Sequence, residues 1–242
     1  MELRDAGAIV TGGASGIGAA CVAQLAAAGA RVAVLDVQPA PTAELGLLVD
    51  VGDPVAVGDA VAQVCAAFGR VDVAVLAAGV GGHGFILDLP LDEWDRVMNV
   101  NLRGAFITLQ ACARAMTTGG AIVAITSISG ALAERGMAHY AASKAALAQL
   151  VRSAARELGP RRIRVNAIAP GVTQTPMFHA AGQNPRYREQ IVARTPLGDI
   201  GAPDAIAAAV VALCRLEWVT GQVVAADGGV SLHSPIDPHD RS

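Results

Sequence analysis

Residues 6–29 constrain the fold more than any other stretch. Ala6-Gly7-Ala8-Ile9-Val10 is a short apolar run that ends in Thr11-Gly12-Gly13-Ala14-Ser15-Gly16-Ile17-Gly18. An alanine-rich amphipathic segment follows and stops at Gly29. The pattern predicts a strand, a glycine turn and a helix. A buried strand that runs straight into a helix needs neighbouring strands beside it and helices over it, as in an α/β chain. Glycines in such a turn let backbone approach a ligand, and the helix start offers free N–H groups and a positive dipole end. A pyrophosphate fits that cradle, with Gly12, Ser15, Gly16 and Gly18 as candidate contacts. A tight turn alone would also use glycines; their place between strand and helix favours the nucleotide.

The rest of the chain keeps the alternation. Arg31–Asp36 reads as a second buried strand with a carboxylate at its end. Asp36 lies about 20 residues past the glycine loop, where a carboxylate accepts adenosine ribose hydroxyls and repels a 2′-phosphate. Val37, not a base, comes next, so nothing nearby favours NADP; a capping or surface role for Asp36 is the competing reading. Pro39 and Pro41 block the helix expected there, so the crossover to a third strand at 45–49 is short. Asp50 and Val51 close that strand, a place for an adenine contact, though a loop aspartate fits nearly as well. Residues 54–68 read as a helix and 71–76 as a fourth strand, after which Ala77-Ala78-Gly79 brings backbone close to a ligand. Residues 81–84 form a glycine loop around His83. One helix is expected over 91–116, with Asn99 and Asn101 inside it. Asparagine is a poor helix former, so Asn101 either faces solvent or spends its amide in a polar network. A fifth strand at 120–126 ends in Ser127, and a sixth at 162–169 ends in Pro170-Gly171. Residues 176–195 are mixed and polar and suit a lid. A helix at 203–216 and a last strand at 222–226 follow. No linker or repeat interrupts. The expectation is a single-domain, doubly wound parallel sheet with helices on both faces over 1–230, then an extended tail over 231–242.

The chain has 18 lysines plus arginines, and Lys144 is its one lysine. It closes Tyr140-Ala141-Ala142-Ser143-Lys144, which leads into a helical pattern. A spacing of four puts Tyr140 and Lys144 on one face, one turn apart. An ammonium is a compact donor whose pKa shifts readily, unlike a guanidinium. Beside a phenol it favours the phenolate and lowers a pKa of about 10 towards neutrality. Tyr140 is therefore a candidate general acid/base. A solvated helix face is the plain alternative for the pair alone. Ser127 ends a strand of a parallel sheet, where catalytic groups gather.

Composition excludes several classes. The net charge is −3 with no basic run, which argues against nucleic acid and anionic membranes as partners. Cys21, Cys65, Cys112 and Cys214 are widely spaced in apolar contexts, as expected of buried thiols in a cytoplasmic protein with no metal site. No signal segment or spanning run is seen. Residues are 53% hydrophobic, enough for a large aliphatic core.

With these residues in place, the chain resembles the single-domain short-chain dehydrogenase/reductase family from Ala6 to Gly229. The motifs are the Thr11–Gly18 loop, Asp36, Asn101, Ser127 thirteen residues before Tyr140, Tyr140-x-x-x-Lys144, Pro170-Gly171 with Thr175, and Asp227-Gly228-Gly229. The resemblance implies a seven-stranded Rossmann-type sheet, a nicotinamide cofactor and hydride transfer between a secondary alcohol or diol and NAD, giving a ketone. Tyr140 would be the general acid/base, and Lys144 would lower its pKa and hold the nicotinamide ribose. Ser127 would bond the substrate oxygen, and Asn101 would hold a water in a proton relay. Ile17, Thr175 and Val172 would contact the cofactor, Asp50 and Val51 the adenine, and Ala78, Gly79, Pro170 and Gly171 would line its groove. Asp36 marks NAD preference. Members are usually homotetramers, sometimes dimers. The family's usual Asn-Asn-Ala-Gly is here Leu76-Ala77-Ala78-Gly79, which removes two asparagines that brace the central strand and adenosine pocket. A catalytically silent NAD(H)-binding sensor or scaffold is the alternative, and the intact Asn101, Ser127, Tyr140 and Lys144 argue against it. Epimerase relatives carry a substrate domain for which this chain has no room. Gly81 to Phe85, Ala131 to His139 and Met177 to Arg194 are candidate pocket segments, with Glu134, Arg135, His139 and His179 able to read polar groups. A small or medium, mostly apolar alcohol or ketone is expected.

Overall fold

A computed structural model describes residues 1–178 and 182–232. Seven parallel strands are ordered β3-β2-β1-β4-β5-β6-β7. They are β1 Gly7–Thr11, β2 Arg31–Asp36, β3 Leu45–Leu48, β4 Val73–Leu76, β5 Gly120–Ile125, β6 Ile163–Pro170 and β7 Val223–Ala226. Helices among the described residues include α1 Gly16–Ala27, α2 Pro54–Phe68, α3 Leu91–Met98, α4 Ala105–Ala115, α5 Ala138–Leu158, α6 Pro185–Arg194 and α7 Pro203–Arg215. Chain order reverses direction beside β1, whose neighbours are β2 and β4. Thr11 is therefore in register with both Leu35 and Leu76. That switch point opens a crevice at the carboxyl ends of the strands.

The central strands are apolar runs because both their faces are covered. One core layer joins Ile9, Leu35, Ala74 and Ile122 to α2, α4 and α5 through Val61, Leu109, Leu147 and Val151. The other joins Val10, Val34, Val75 and Val123 to α1 and α7 through Leu25, Cys21, Val210 and Leu213. Alternate residues of each strand face opposite layers, as the period of two requires. The proline-rich link from Asp36 to Leu45 carries no helix, as expected. Helix α2 starts where Asp53 accepts from the N–H groups of Val55 and Ala56, with Pro54 in its first turn.

The single helix expected over 91–116 is three pieces. A π-helical turn, Asn99–Gly104, separates α3 from α4. The asparagines explain it: the Asn101 side chain is committed to tertiary bonds, and Asn99 packs on the turn at Gly52. Such an extra-wide turn interrupts the i→i+4 ladder and is common at functional sites. At the other end, Ser231 and Leu232, expected to begin the extended tail, instead belong to a 3₁₀ turn, Val230–Leu232. The Asp227 carboxylate holds that turn by accepting from the N–H of Ser231 at 2.9 Å. The rest of the tail lies outside the described residues.

Candidate active site

The glycine turn after β1 is built for close backbone approach. Gly12 has φ +66°, and a Cβ there would sit 2.7 Å from the Cα of Ala78. A Cβ on Gly18 would lie 2.1 Å from the carbonyl oxygen of Gly12, so the helix start is pressed onto the turn. Ser15 is the N-cap of α1, yet its side chain makes no cap bond. The first N–H groups of the helix, at Gly16, Ile17 and Gly18, are thus left uncapped by a side chain and keep their donor capacity for an anion. Thr175 reaches this turn from the far side, 3.3 Å from where a Cβ of Gly16 would be. Gly171, Val172 and Thr173 run on from β6, and Thr173 bridges to Gly201.

Asp36 is tied to the same turn. One carboxylate oxygen accepts from the N–H of Ala14 at 2.9 Å, and the other from Gln38 at 3.0 Å. Asp50 is exposed and accepts from Gly52, while Val51 is buried. Val51 packs against Gly104 of the π turn, so the expected adenine end and Asn101 share one piece of backbone. The Thr11 hydroxyl accepts from the N–H groups of both Ala77 and Ala78, at 3.1 Å each.

Asn101, Ser127, Tyr140 and Lys144 converge beyond β4 and β5. Asn101 is fully buried. Its amide oxygen accepts from Val80 N–H at 2.8 Å, and its nitrogen donates to the Val80 carbonyl and the Ser143 hydroxyl. Ser143 in turn donates to the Tyr140 carbonyl at 2.7 Å. The Asn101 side-chain amide is therefore occupied in fixing Val80 and the first turn of α5. Gly79 lies between these groups: a Cβ there would be 3.3 Å from the Asn101 amide oxygen and 3.4 Å from Lys144 Nζ.

Lys144 Nζ donates to the Ile125 carbonyl at 2.9 Å and lies 5.7 Å from the Tyr140 ring centre. Burial depresses its pKa to about 8. Burial also pushes the Tyr140 phenol upward; the hydrogen bond to Ser127 opposes this and the charge of Glu134 adds to it. Lys144 is not among the groups that move the Tyr140 phenol here, and its ammonium is hydrogen-bonded to the Ile125 carbonyl.

Ser127 caps a 3₁₀ turn, Ile128–Gly130, and accepts from the N–H of Ser129. Ser127 Oγ donates to Ser129 Oγ at 3.2 Å, and Ser129 Oγ donates to the Glu134 carboxylate at 2.7 Å. Nothing in the sequence alone pointed to the roles of Ser129 or Ser143; a hydroxyl two or three residues from a reactive group is the only signal there was.

The candidate pocket segments are partly corrected. His139 is not on the surface but fully buried, with neither ring nitrogen hydrogen-bonded. Its Nε2 is 3.7 Å from Glu93, which pairs with Arg96. Gly82 lies against both, and a Cβ there would come within 2.2 Å of His139 Nε2. His83 stacks edge-on against Phe85 at 5.5 Å, and Arg135 lies 5.9 Å over the same ring. Met177 reaches Gly81, so the expected lid segment crosses to the 81–84 loop. His179 lies outside the described residues. No cluster able to hold a metal is found among the described residues.

A dinucleotide cradle at a switch point, with Ser, Tyr and Lys at the strand ends, defines a class: nicotinamide-dependent oxidoreductases of the Rossmann type. A family model described as enoyl-(acyl carrier protein) reductase matches residues 12–231. The chain is 36% identical to the (3R)-3-hydroxyacyl-CoA dehydrogenase of Canis lupus familiaris, over 96% of this chain and 98% of that one. It is 35% identical to the 3-oxoacyl-[acyl-carrier-protein] reductase FabG of Thermotoga maritima, over 96% and 100%. The aldohexose dehydrogenase of Thermoplasma acidophilum superposes with a TM-score of 0.92 at 28% identity, over 97% of both chains. The protein belongs to the short-chain dehydrogenase/reductase family and is an oxidoreductase. Members of that family bind nicotinamide cofactors.

Proposed function

We propose that the protein oxidises a secondary alcohol or diol with NAD, and reduces the ketone in reverse. The observation that carries this reading is the convergence of Tyr140, Ser127 and Lys144 beside Gly79. The cofactor, when bound, supplies or accepts the hydride. The uncapped N–H groups of Gly16, Ile17 and Gly18 would take its pyrophosphate, with Gly12 and Ser15 shaping the turn. Asp36 would take the adenosine ribose, and the Asp50–Val51 turn the adenine. Ala78, Gly79, Pro170, Gly171, Val172 and Thr175 would line the remaining groove. Lys144 would exchange its Ile125 carbonyl for the nicotinamide ribose, and so come to favour the Tyr140 phenolate.

Ser127 orients the substrate oxygen while Tyr140 takes its proton. Asn101 holds the Val80 backbone, and the π turn around it is where a main-chain carbonyl can leave the helical ladder and hold a relay water. NAD preference rests on Asp36, whose carboxylate repels a 2′-phosphate and has Val37 beside it. The exposed apolar side chains on the candidate pocket segments and beside them, Phe85, Ile86, Leu132 and Met177, favour a mostly apolar substrate. The relatives' named substrates are acyl thioesters and sugars, so membership alone does not choose among them. Free cysteines, three of them buried, fit a reducing cytoplasm, and no helix among the described residues is long and apolar enough to cross a membrane. The fully exposed Trp218 before the edge strand β7 favours a homo-oligomer, a tetramer or a dimer.

The test is reduced-nicotinamide formation with NAD or NADP over secondary alcohols, cyclic diols, hydroxysteroids and 3-hydroxyacyl thioesters. Tyr140→Phe should lose nearly all turnover and keep NAD binding. Normal turnover in that variant would remove Tyr140 from its role, and a preference for NADP would overturn the assignment of Asp36.

A further inference from the structure

Ser129 and Glu134 have no part in the reaction as described so far, yet they continue a line that begins at Tyr140. The Ser127 hydroxyl, which acts on the Tyr140 phenol, donates to Ser129 at 3.2 Å, and Ser129 donates to the Glu134 carboxylate at 2.7 Å. Each serine hydroxyl is donor to the next group outward. Ser129 is buried and Glu134 is exposed, so the line crosses from the buried site to water. The 3₁₀ turn that holds both serines is itself fixed: a Cβ on Gly130 would be 3.0 Å from the Lys144 backbone.

We propose that Ser127, Ser129 and Glu134 form a proton path between Tyr140 and solvent. The inference rests on the reading of Tyr140 as the acid/base. In the oxidative direction the Tyr140 phenolate takes the alcohol proton and becomes a phenol. Its O–H proton then passes to Ser127 Oγ while the Ser127 proton passes to Ser129 Oγ and the Ser129 proton to Glu134. The phenolate is regenerated, both serines end neutral with one proton each, and the Glu134 carboxylic acid releases its proton to water. Reduction runs the same steps backwards.

The other charged or titratable groups around the path are few. Lys144 faces the Tyr140 ring from its own helix. Arg135, next to Glu134, is directed over Phe85, and His83 lies against Gly136. His139 faces Glu93 on α3, which pairs with Arg96. None of these stands between Ser129 and Glu134.

Two substitutions separate a path from a structural contact. Ser129→Ala breaks the line without changing charge, and Glu134→Gln keeps an acceptor for Ser129 but removes the proton sink. Each should lower kcat for oxidation on the order of tenfold, less than the loss of a general acid/base itself. The solvent deuterium isotope effect on kcat should grow in both, and added formate should restore Glu134→Gln. Full kcat with an unchanged isotope effect in both variants would overturn the proposal, as would a change confined to KM with no rescue by formate. A second readout needs no turnover. The chain has two tyrosines. A Tyr187→Phe background therefore leaves Tyr140 as the sole phenol for ultraviolet titration. Glu134→Gln should move its ionisation to lower pH, and an unmoved titration would sever the link to Glu134. If the unaltered protein oxidises no alcohol while the titration still moves, the reading of the reaction falls and the hydrogen-bonded connection stands.

Discussion

Thr11→Val tests the tie between the end of β1 and the Ala77-Ala78 segment after β4. The Thr11 side chain is 2% exposed, and its one oxygen accepts two backbone N–H groups, from Ala77 and Ala78, at 3.1 Å each. Valine has the same shape and no acceptor, so it leaves both donors unpaired at the end of a central strand. An orphaned buried donor costs about 1–3 kcal/mol. Two donors sharing one acceptor put the loss at about 3 kcal/mol, towards the lower end of the doubled range. For a chain of this length about 1 kcal/mol moves Tm by roughly 2–4 °C, so a fall of about 6–12 °C is expected. Thr11→Ser keeps the acceptor and loses one methyl, worth about 0.8 kcal/mol, so its Tm should fall by only about 2–3 °C. Thermal unfolding of the three proteins by calorimetry measures both shifts. A Val variant within about 2 °C of the parent, or a Ser variant as damaged as the Val variant, would refute the account.

Lys144 should give stability a pH signature. Its folded pKa, about 8, lies below the 10.5 of the exposed group, so between those values the unfolded chain holds the extra proton. Its burial penalty is in full force below pH 8 and is relieved as pH rises towards 10.5. Lys144→Met should remove that rise, seen by comparing urea midpoints of the two proteins across the window. Gly18→Ala forces a methyl to within 2.1 Å of the Gly12 carbonyl oxygen, and should cost about 1–3 kcal/mol and weaken dinucleotide binding in a calorimetric titration. Gly82→Ala drives a methyl onto His139 and Glu93, and should raise KM through the displaced 81–84 loop. Asp36→Ala should bring the kcat/KM values for NAD and NADP closer together, and an unchanged ratio would count against its role.

The sheet and its order of elements were legible because the strands are short apolar runs separated by glycines, prolines and capping residues. The Thr11–Gly18 turn and the Tyr140–Lys144 spacing marked the candidate site for the same reason: local geometry determines which residue types can serve. What sequence could not show depends on contacts between distant segments. The π turn follows from Asn101 bonding to Val80 and Ser143, both far from it in the chain. His139 looked like a surface or pocket residue because its cover, Gly82, lies on another element. The depressed pKa of Lys144 belongs to its burial, which no spacing reports.

The solitary lysine has a practical consequence. A protease that cuts only after lysine has one target bond in the whole chain, and it lies within α5. Lys144 is 4% exposed there, so cleavage requires that helix to open. The unfolded chain would then yield two fragments, and a short pulse of such a protease would count the unfolded molecules directly. Ligands that settle over Lys144 would register as slower cutting, so the lone amine doubles as a built-in gauge of opening.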